Sequence, residues 1–285
     1  MSDLIEIKDL SKKLGNFELK NISFSLAPGY VMGFVGPNGA GKSTTIKLML
    51  NLLRKQSGSI KLFGLDNVKD EMEMKQQIGF VLDDTYFHEC MTVKQVGWFV
   101  SGFYRNWDEA LFQQYRKKFD LPEKKKFKEL STGMKAKLSL AVALSHHAKL
   151  LILDEPTSGL DPIVRDDILS ELFQVVKDPD RGVFFSSHIT SDLDKVADYI
   201  TFISNGEIIL STTKDEINEK YAVVKGAKKH LPEIKSHLIR YRETQFGFEG
   251  LTNEAAILRK HGQFVVEKAK VEDIMLYFEK GEVVC

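Results

Sequence analysis

Tyr30-Val31-Met32-Gly33-Phe34-Val35-Gly36-Pro37-Asn38-Gly39-Ala40-Gly41-Lys42-Ser43-Thr44 is the stretch on which the reading of this chain turns. Its first six residues form a continuous apolar run, the pattern of a strand buried on both faces of a sheet. From Gly36 the residues fit G-x-x-x-x-G-K-[ST]. Glycines let the backbone curl until successive N–H groups point inward at one anion. A helix predicted from about Ser43 to Leu53 adds the positive end of its dipole. Lys42 supplies a mobile charge for β- and γ-phosphates, and the Ser43 hydroxyl is a hard oxygen suited to Mg²⁺. The predicted phosphate site is therefore Gly36, Pro37, Asn38, Gly39, Ala40, Gly41, Lys42, Ser43 and Thr44. An ordinary glycine turn is the bland alternative, and the strand before it and the helix after it speak against that. The motif alone does not separate kinases, GTPases, helicases and transport ATPases.

A second apolar run, Leu150-Leu151-Ile152-Leu153, ends in Asp154-Glu155. A strand end beside a phosphate loop is where a metal-binding Asp belongs. Asp154 is thus predicted to hold Mg²⁺ through water, and Glu155 to polarise the attacking water as a general base. The alternative is a strand ending in a solvated acidic turn. His188 ends a third run, Val183-Phe184-Phe185-Ser186-Ser187. From there it can reach a γ-phosphate edge, although a lone histidine is more often structural.

Outward from these runs, strands are predicted at residues 4–7, 22–26, 59–63, 78–82 and 199–203, with an Asn205-Gly206 hairpin turn. Residues 91–146 read as mainly helical. Asn106 is the expected cap of a helix burying Leu111, Phe112, Tyr115 and Phe119, and another helix should begin near Ser131. Asp161-Pro162 opens a further helix with cap and first-turn proline. Strands alternating with helices argue for a largely parallel α/β sheet, with an antiparallel part near the N-terminus. The tail, residues 218–285, reads as mixed, with strands at 221–224 and 264–266 and a helix at 273–279.

The chain has 285 residues, 43% hydrophobic and 28% charged, with Lys+Arg and Asp+Glu both 40. A zero net charge exerts no bulk pull on nucleic acid, and no nucleic-acid partner is expected. Cys90 and Cys285 lack metal-ligand spacing and read as free thiols of a reducing cytoplasm. No apolar run approaches the ~20 residues of a membrane span. If a membrane is involved, another chain is expected to supply the spans.

Leu130-Ser131-Thr132-Gly133-Met134 lies between the phosphate loop and the acid pair, and Ser158-Gly159-Leu160-Asp161 follows that pair at once. With Gly36–Thr44, Asp154-Glu155 and His188, this order resembles the nucleotide-binding subunit of ATP-binding-cassette (ABC) transporters over residues 4–215. The resemblance implies an ABC-type phosphate-loop fold over 1–217, with a helical subdomain at about 84–146 facing a transmembrane permease subunit and a small α+β extension at 218–285. It implies two ATPase subunits, identical or not, packed head to tail around two ATP at the cytoplasmic face of the membrane. Ser131, Thr132, Gly133 and Met134 would then meet the γ-phosphate bound by the other subunit. Asp161 would lie along the interface, and His188 would contact the γ-phosphate.

Three positions depart from the family pattern. Its adenine-stacking aromatic is here Leu14, so stacking is either weak or falls to Phe17, for which a core aromatic is the alternative reading. The Gln after the strand 78–82 is replaced by Asp83-Asp84, and Asp83 becomes a candidate metal ligand. The signature reads Ser-Thr-Gly-Met. That signature, the missing Gln and a tail with Val271-Glu272-Asp273-Ile274-Met275 are similar to ATPases of bacterial ABC-2-type exporters, which move drugs, antimicrobial peptides or lipid-linked polymers. Lys124-Lys125-Lys126-Phe127-Lys128 reads as a solvated loop, with anionic-lipid contact the alternative. Trp98, Phe99, Phe103, Tyr104 and Trp107 are core residues or, where exposed, a groove for a helix of the membrane partner. Rival readings are a soluble ATP-dependent switch and a regulatory subunit without turnover; Glu155 and His188 speak against the latter.

Overall fold

The computed structural model describes residues 2–82, 87–259, 263–280 and 282–283. Its strands are β1 (Ile5–Leu14), β2 (Phe17–Leu26), β3 (Val31–Val35), β4 (Ser57–Leu62), β5 (Leu65–Asp66), β6 (Ile78–Val81), β7 (Leu150–Asp154), β8 (Gly182–Ser187), β9 (Tyr199–Ser204), β10 (Glu207–Thr213), β11 (Ala222–Gly226), β12 (Arg240–Glu243), β13 (Phe248–Thr252), β14 (Val265–Lys268) and β15 (Glu282–Val283). Its helices are α1 (Lys42–Met49), α2 (Glu71–Lys75), α3 (Val93–Ser101), α4 (Glu109–Lys118), α5 (Thr132–Leu144), α6 (Pro162–Val175), α7 (Thr190–Val196), α8 (Lys214–Lys220), α9 (Leu231–Ile234), α10 (Ala255–Leu258) and α11 (Val271–Lys280).

The main sheet has the order β10-β9-β3-β8-β7-β6. All neighbours from β9 to β6 are parallel, and only β10 is antiparallel, joined to β9 through Asn205-Gly206. Both turn residues have positive φ, 48° and 77°, as a two-residue hairpin requires. The apolar runs are continuous because both faces of the sheet are covered. Val31, Val35, Leu151, Leu153, Val183 and Phe185 pack into the cluster with the helices α3 to α7. Their alternate neighbours Met32, Phe34, Leu150, Ile152 and Phe184 pack against the antiparallel sheet β2-β1-β4-β5. The fold is the mainly parallel α/β architecture with an N-terminal antiparallel part.

The helical stretch contains one correction. Asn106 does not cap its helix. Asp108 does, its Oδ1 accepting from the Leu111 N–H at 2.9 Å, while Trp107 tilts against Phe112 with ring centroids 5.4 Å apart. The carboxylate nearer the first turn takes the orphan amide, and the indole anchors the residue before it. Phe112 and Phe119 are buried; Leu111 and Tyr115 are half-buried. In the basic run, Lys124, Lys126 and Lys128 are exposed and Phe127 is buried as an anchor. Among the described residues, no helix is long and apolar enough to cross a membrane.

Residues 222–283 build a third sheet, antiparallel, in the order β14-β11-β13-β12-β15. It has its own small cluster, including Val224, Leu238, Tyr241 and Phe248. Helix α11 packs between this sheet and α7: Val271, Ile274 and Tyr277 join the main cluster together with Val223 of β11 and Leu251 of β13. Phe278 meets Phe202 of β9 at 6.1 Å between ring centroids.

Candidate active site

The parallel register brings three strand ends level. Val35, the residue before the glycine loop, pairs with Ser187, and Asp154 pairs with Ser186. With β8 lying between β3 and β7, the loops that leave these strands at Gly36, Glu155 and His188 open at one edge of the sheet. That edge is the crevice in which open α/β sheets bind ligands.

The glycine loop depends on its missing side chains. A Cβ on Gly36 would lie 2.1 Å from the Ile203 carbonyl oxygen, so the loop could not lie this close to β9. Gly41 caps α1 at φ 113° with no side-chain hydrogen bond, which leaves the helix N-terminal amides for an anion. The Lys42 side chain is 6% exposed. Its ammonium donates to the carbonyls of Gly36 at 2.7 Å and Pro37 at 3.2 Å, and it lies 3.3 Å from Glu155 Oε1.

Asp154 is 2% exposed. Its Oδ1 accepts from Ser186 Oγ at 2.6 Å, and Ser186 Oγ in turn accepts the Glu155 N–H at 2.9 Å. The second carboxylate oxygen of Asp154 takes no hydrogen bond from a described residue. Glu155 has φ 50°, left-handed backbone that costs a residue with a side chain on the order of 1 kcal/mol. Such strain persists only where the surroundings hold it. Glu155 Oε2 meets His188 Nδ1 at 2.7 Å and accepts the His188 backbone N–H at 3.3 Å. A carboxylate only accepts, so Nδ1 carries the hydrogen and Nε2 is left without one in the neutral ring.

Lys42, Glu155 and His188 line a cavity of about 590 Å³, with Leu14, Phe17, Pro37, Asn38, Gly39, Gly41, Ser43, Thr44 and Ser158 completing the wall; Asp154 and Gly36 lie behind that wall. Phe17 lies at the rim against Gly41, where a Cβ would be 2.9 Å from its Cζ. Ala40 is buried behind the loop.

A profile of the family "ABC transporter" matches residues 19–158. The ABC transporter ATP-binding protein YtrB of Bacillus subtilis (strain 168) is 31% identical over 225 residues, which cover 79% of this chain and 77% of that protein. The bacitracin transport ATP-binding protein BcrA of Bacillus licheniformis is 32% identical over 234 residues, covering 78% and 74%. A solved structure described as the ATP binding subunit of an ABC transporter superposes with TM-score 0.69 at 26% identity, over 75% of this chain and 92% of its own. The chain belongs to the ATP-binding proteins of ABC transporters. It is an ATPase of the kind that hydrolyses ATP to power transport.

In this ABC ATPase the remaining predicted residues lie outside the cavity wall. Ser131 caps α5, its Oγ accepting from the Met134 N–H at 3.3 Å, which leaves its own hydroxyl hydrogen to donate. Thr132, Gly133 and Met134 form the first turn behind it. Gly133 abuts Val164 of α6, where a Cβ would meet both Val164 methyls at 3.1 Å. Asp161 caps α6, accepting from the N–H groups of Ile163 and Val164 at 3.1 Å each. None of these five residues lines the cavity. Asp83 lies outside the described residues. Ser186 was missed: nothing in its residue type marks it, and only the strand register brings it to Asp154.

On another face of the ABC ATPase, Met72, Phe80, Phe99, Phe103 and Tyr104 line a largely apolar groove of about 390 Å³. Trp98 beside it is 75% exposed and Phe103 62%, whereas Tyr104 and Trp107 pack inward. Tyr104 stacks on the buried His146, ring centroids 3.7 Å apart, and His146 Nε2 donates to the Ile78 carbonyl at 3.0 Å. Burial pushes the His146 imidazole down to about 4 and the Tyr104 phenol up to about 12.

Proposed function

We propose that this chain is the hydrolysing half of an exporter. Two ATPase subunits pack head to tail around two ATP and drive a separate transmembrane permease from the cytoplasmic face of the cell membrane. The cargo class is a drug, an antimicrobial peptide or a lipid-linked molecule. The relative named for bacitracin transport supports export.

The observation that carries the reading is the position of Glu155. One of its oxygens faces Lys42, the other His188, at the mouth of the phosphate-loop cavity. The backbone N–H groups of the Gly36–Thr44 loop, Pro37 having none, would wrap the β-phosphate, and an incoming γ-phosphate would compete with Glu155 for the Lys42 ammonium. Released from that ion pair, Glu155 orients water as general base. His188 keeps Glu155 in place through Nδ1 and offers Nε2 to the γ-phosphate edge. Phe17 lies beneath the base at the rim. The second wall comes from the partner subunit, whose Ser131–Met134 turn offers a hydroxyl and a helix N-terminus, with Asp161 along the seam.

The donor set fits Mg²⁺. Ser43 supplies a hydroxyl at the cavity, and Asp154 has a carboxylate oxygen that no described residue occupies. Among the described residues no cluster of three His, Cys, Asp or Glu competes for a softer ion. Bound Mg²⁺ would neutralise charge on the β- and γ-phosphates. Asp83 is the third candidate ligand, through its hard carboxylate oxygens.

The apolar groove suits a short amphipathic helix of the permease, because exposed Phe99 and Phe103 offer anchors that water disfavours. Glu155→Gln tests the reading. Turnover should fall at least about a hundredfold while ATP binding persists and dimers accumulate. Phosphate release and size-exclusion chromatography with ATP check it, and undiminished turnover would remove Glu155 from this role.

A further inference from the structure

Behind the Glu155–His188 pair lies a second set of polar groups, away from the cavity. Asp192 of α7 is fully buried. Its Oδ2 accepts from Thr157 Oγ1 at 2.6 Å, and its Oδ1 accepts from Arg165 Nε at 2.5 Å. Arg165 also donates through Nη2 to Ser191 Oγ at 2.6 Å. Thr157 is 1% exposed.

A carboxylate without solvent exposure is costly unless it is paired and hydrogen-bonded. Arg165 alone would meet the need for charge. Thr157 does something else: it joins the carboxylate to the loop that carries Glu155, two residues earlier in the chain. That loop needs holding, because Glu155 is in left-handed backbone. Two hydroxyls hold it. Ser186 Oγ, on the strand leading into His188, takes the Glu155 N–H. Thr157 donates to Asp192, on the helix leading out of His188. The Glu155 loop is therefore tied to the His188 segment on both sides, and the 2.7 Å Glu155–His188 contact lies between the ties. Arg165 extends the tie to α6, next to Val164, which packs on Gly133.

We propose that Thr157, Asp192 and Arg165 act as a positioning strut that sets the Glu155–His188 geometry, so that the hydrolytic step depends on the Thr157 hydroxyl while ATP binding does not. This rests on the hydrolytic reading above. Misplacement of a positioned base by a fraction of an ångström lowers the chemical step without touching the phosphate loop.

Two variants of Thr157 separate the strut from simple packing. Thr157→Val keeps the shape and loses the hydroxyl; Thr157→Ser keeps the hydroxyl and loses the methyl. In the full chain, Thr157→Val should lower kcat about ten- to a hundredfold with KM for ATP within about twofold. Without nucleotide, its backbone amides at 155–161 and 188–192 should exchange hydrogen faster than those of the unaltered protein. Thr157→Ser should stay close to the unaltered protein in both measurements. Unchanged kcat in Thr157→Val overturns the strut, as does a Thr157→Ser defect equal to or larger than that of Thr157→Val. Unaltered protein without turnover would overturn the hydrolytic reading instead, and the exchange comparison would then still decide the strut.

Discussion

The two concavities of this ATPase differ in what makes them. The phosphate-loop cavity takes its shape from main chain: left-handed glycines, a strained glutamate and the first amides of α1. The groove beside Phe103 takes its shape from side chains, most of them apolar and several exposed. Backbone-built sites demand particular residues at particular positions, because a single Cβ can close them. A groove of phenylalanines tolerates apolar exchanges and fails on a charge. The first should therefore be sensitive to shape and chemistry, and the second to polarity alone.

The hardest test of that contrast changes a residue in neither concavity. Ser131→Arg should cut turnover at least about a hundredfold while ATP still binds, because in the proposed head-to-tail packing its bulk would keep the turn from closing over the other subunit's cavity. ATPase assays beside nucleotide binding check it; normal turnover would mean that the cavity works with one wall. A smaller effect belongs to the groove. Replacing both Phe99 and Phe103 by Asp should leave the ATPase rate of the isolated chain within about twofold and weaken recovery with a membrane protein about tenfold or more. Recovery unchanged by the two added charges would assign the groove no partner.

The smallest effect concerns His146, stacked behind the Tyr104 that lines the groove. His146 titrates at about 4 in the fold against an ordinary 6.5, so the unfolded chain takes up the proton first as pH falls. Its stabilising share is complete above the ordinary value and is lost as pH falls through the window toward 4. Between about pH 7.5 and about pH 5.5 the loss is on the order of 1 kcal/mol. His146→Gln, whose amide can still donate to Ile78, should flatten that dependence in urea titrations. An identical pH dependence in both proteins would show that His146 takes up its proton alike in the folded and unfolded chains, against the lowered value.

What could be read from the residues follows the same division. Gly36–Thr44, Asp154-Glu155 and the Asp161-Pro162 cap are local chemistry, and each lies in the element its residues predict. Ser186 and the Thr157–Asp192–Arg165 set escaped, since ordinary polar residues acquire a role only when register and helix packing bring distant segments together. The cap shifted from Asn106 to Asp108 because two good capping residues two apart are indistinguishable until packing chooses. Strands β12 and β13 were not foreseen either. Arg240-Tyr241-Arg242-Glu243 carries charges on an exposed sheet face, where alternation is weak, and its pairing with β13 replaces any local signal.

Helix α11 has a consequence for biosynthesis. Phe202 of β9 leaves the ribosome before α11, yet its ring meets Phe278 of that helix. At about 5–20 residues per second, the catalytic half waits roughly 4–15 s with that patch uncovered. During this interval the nascent ATPase is an apolar surface in search of a cover, a natural client for a chaperone at the exit tunnel.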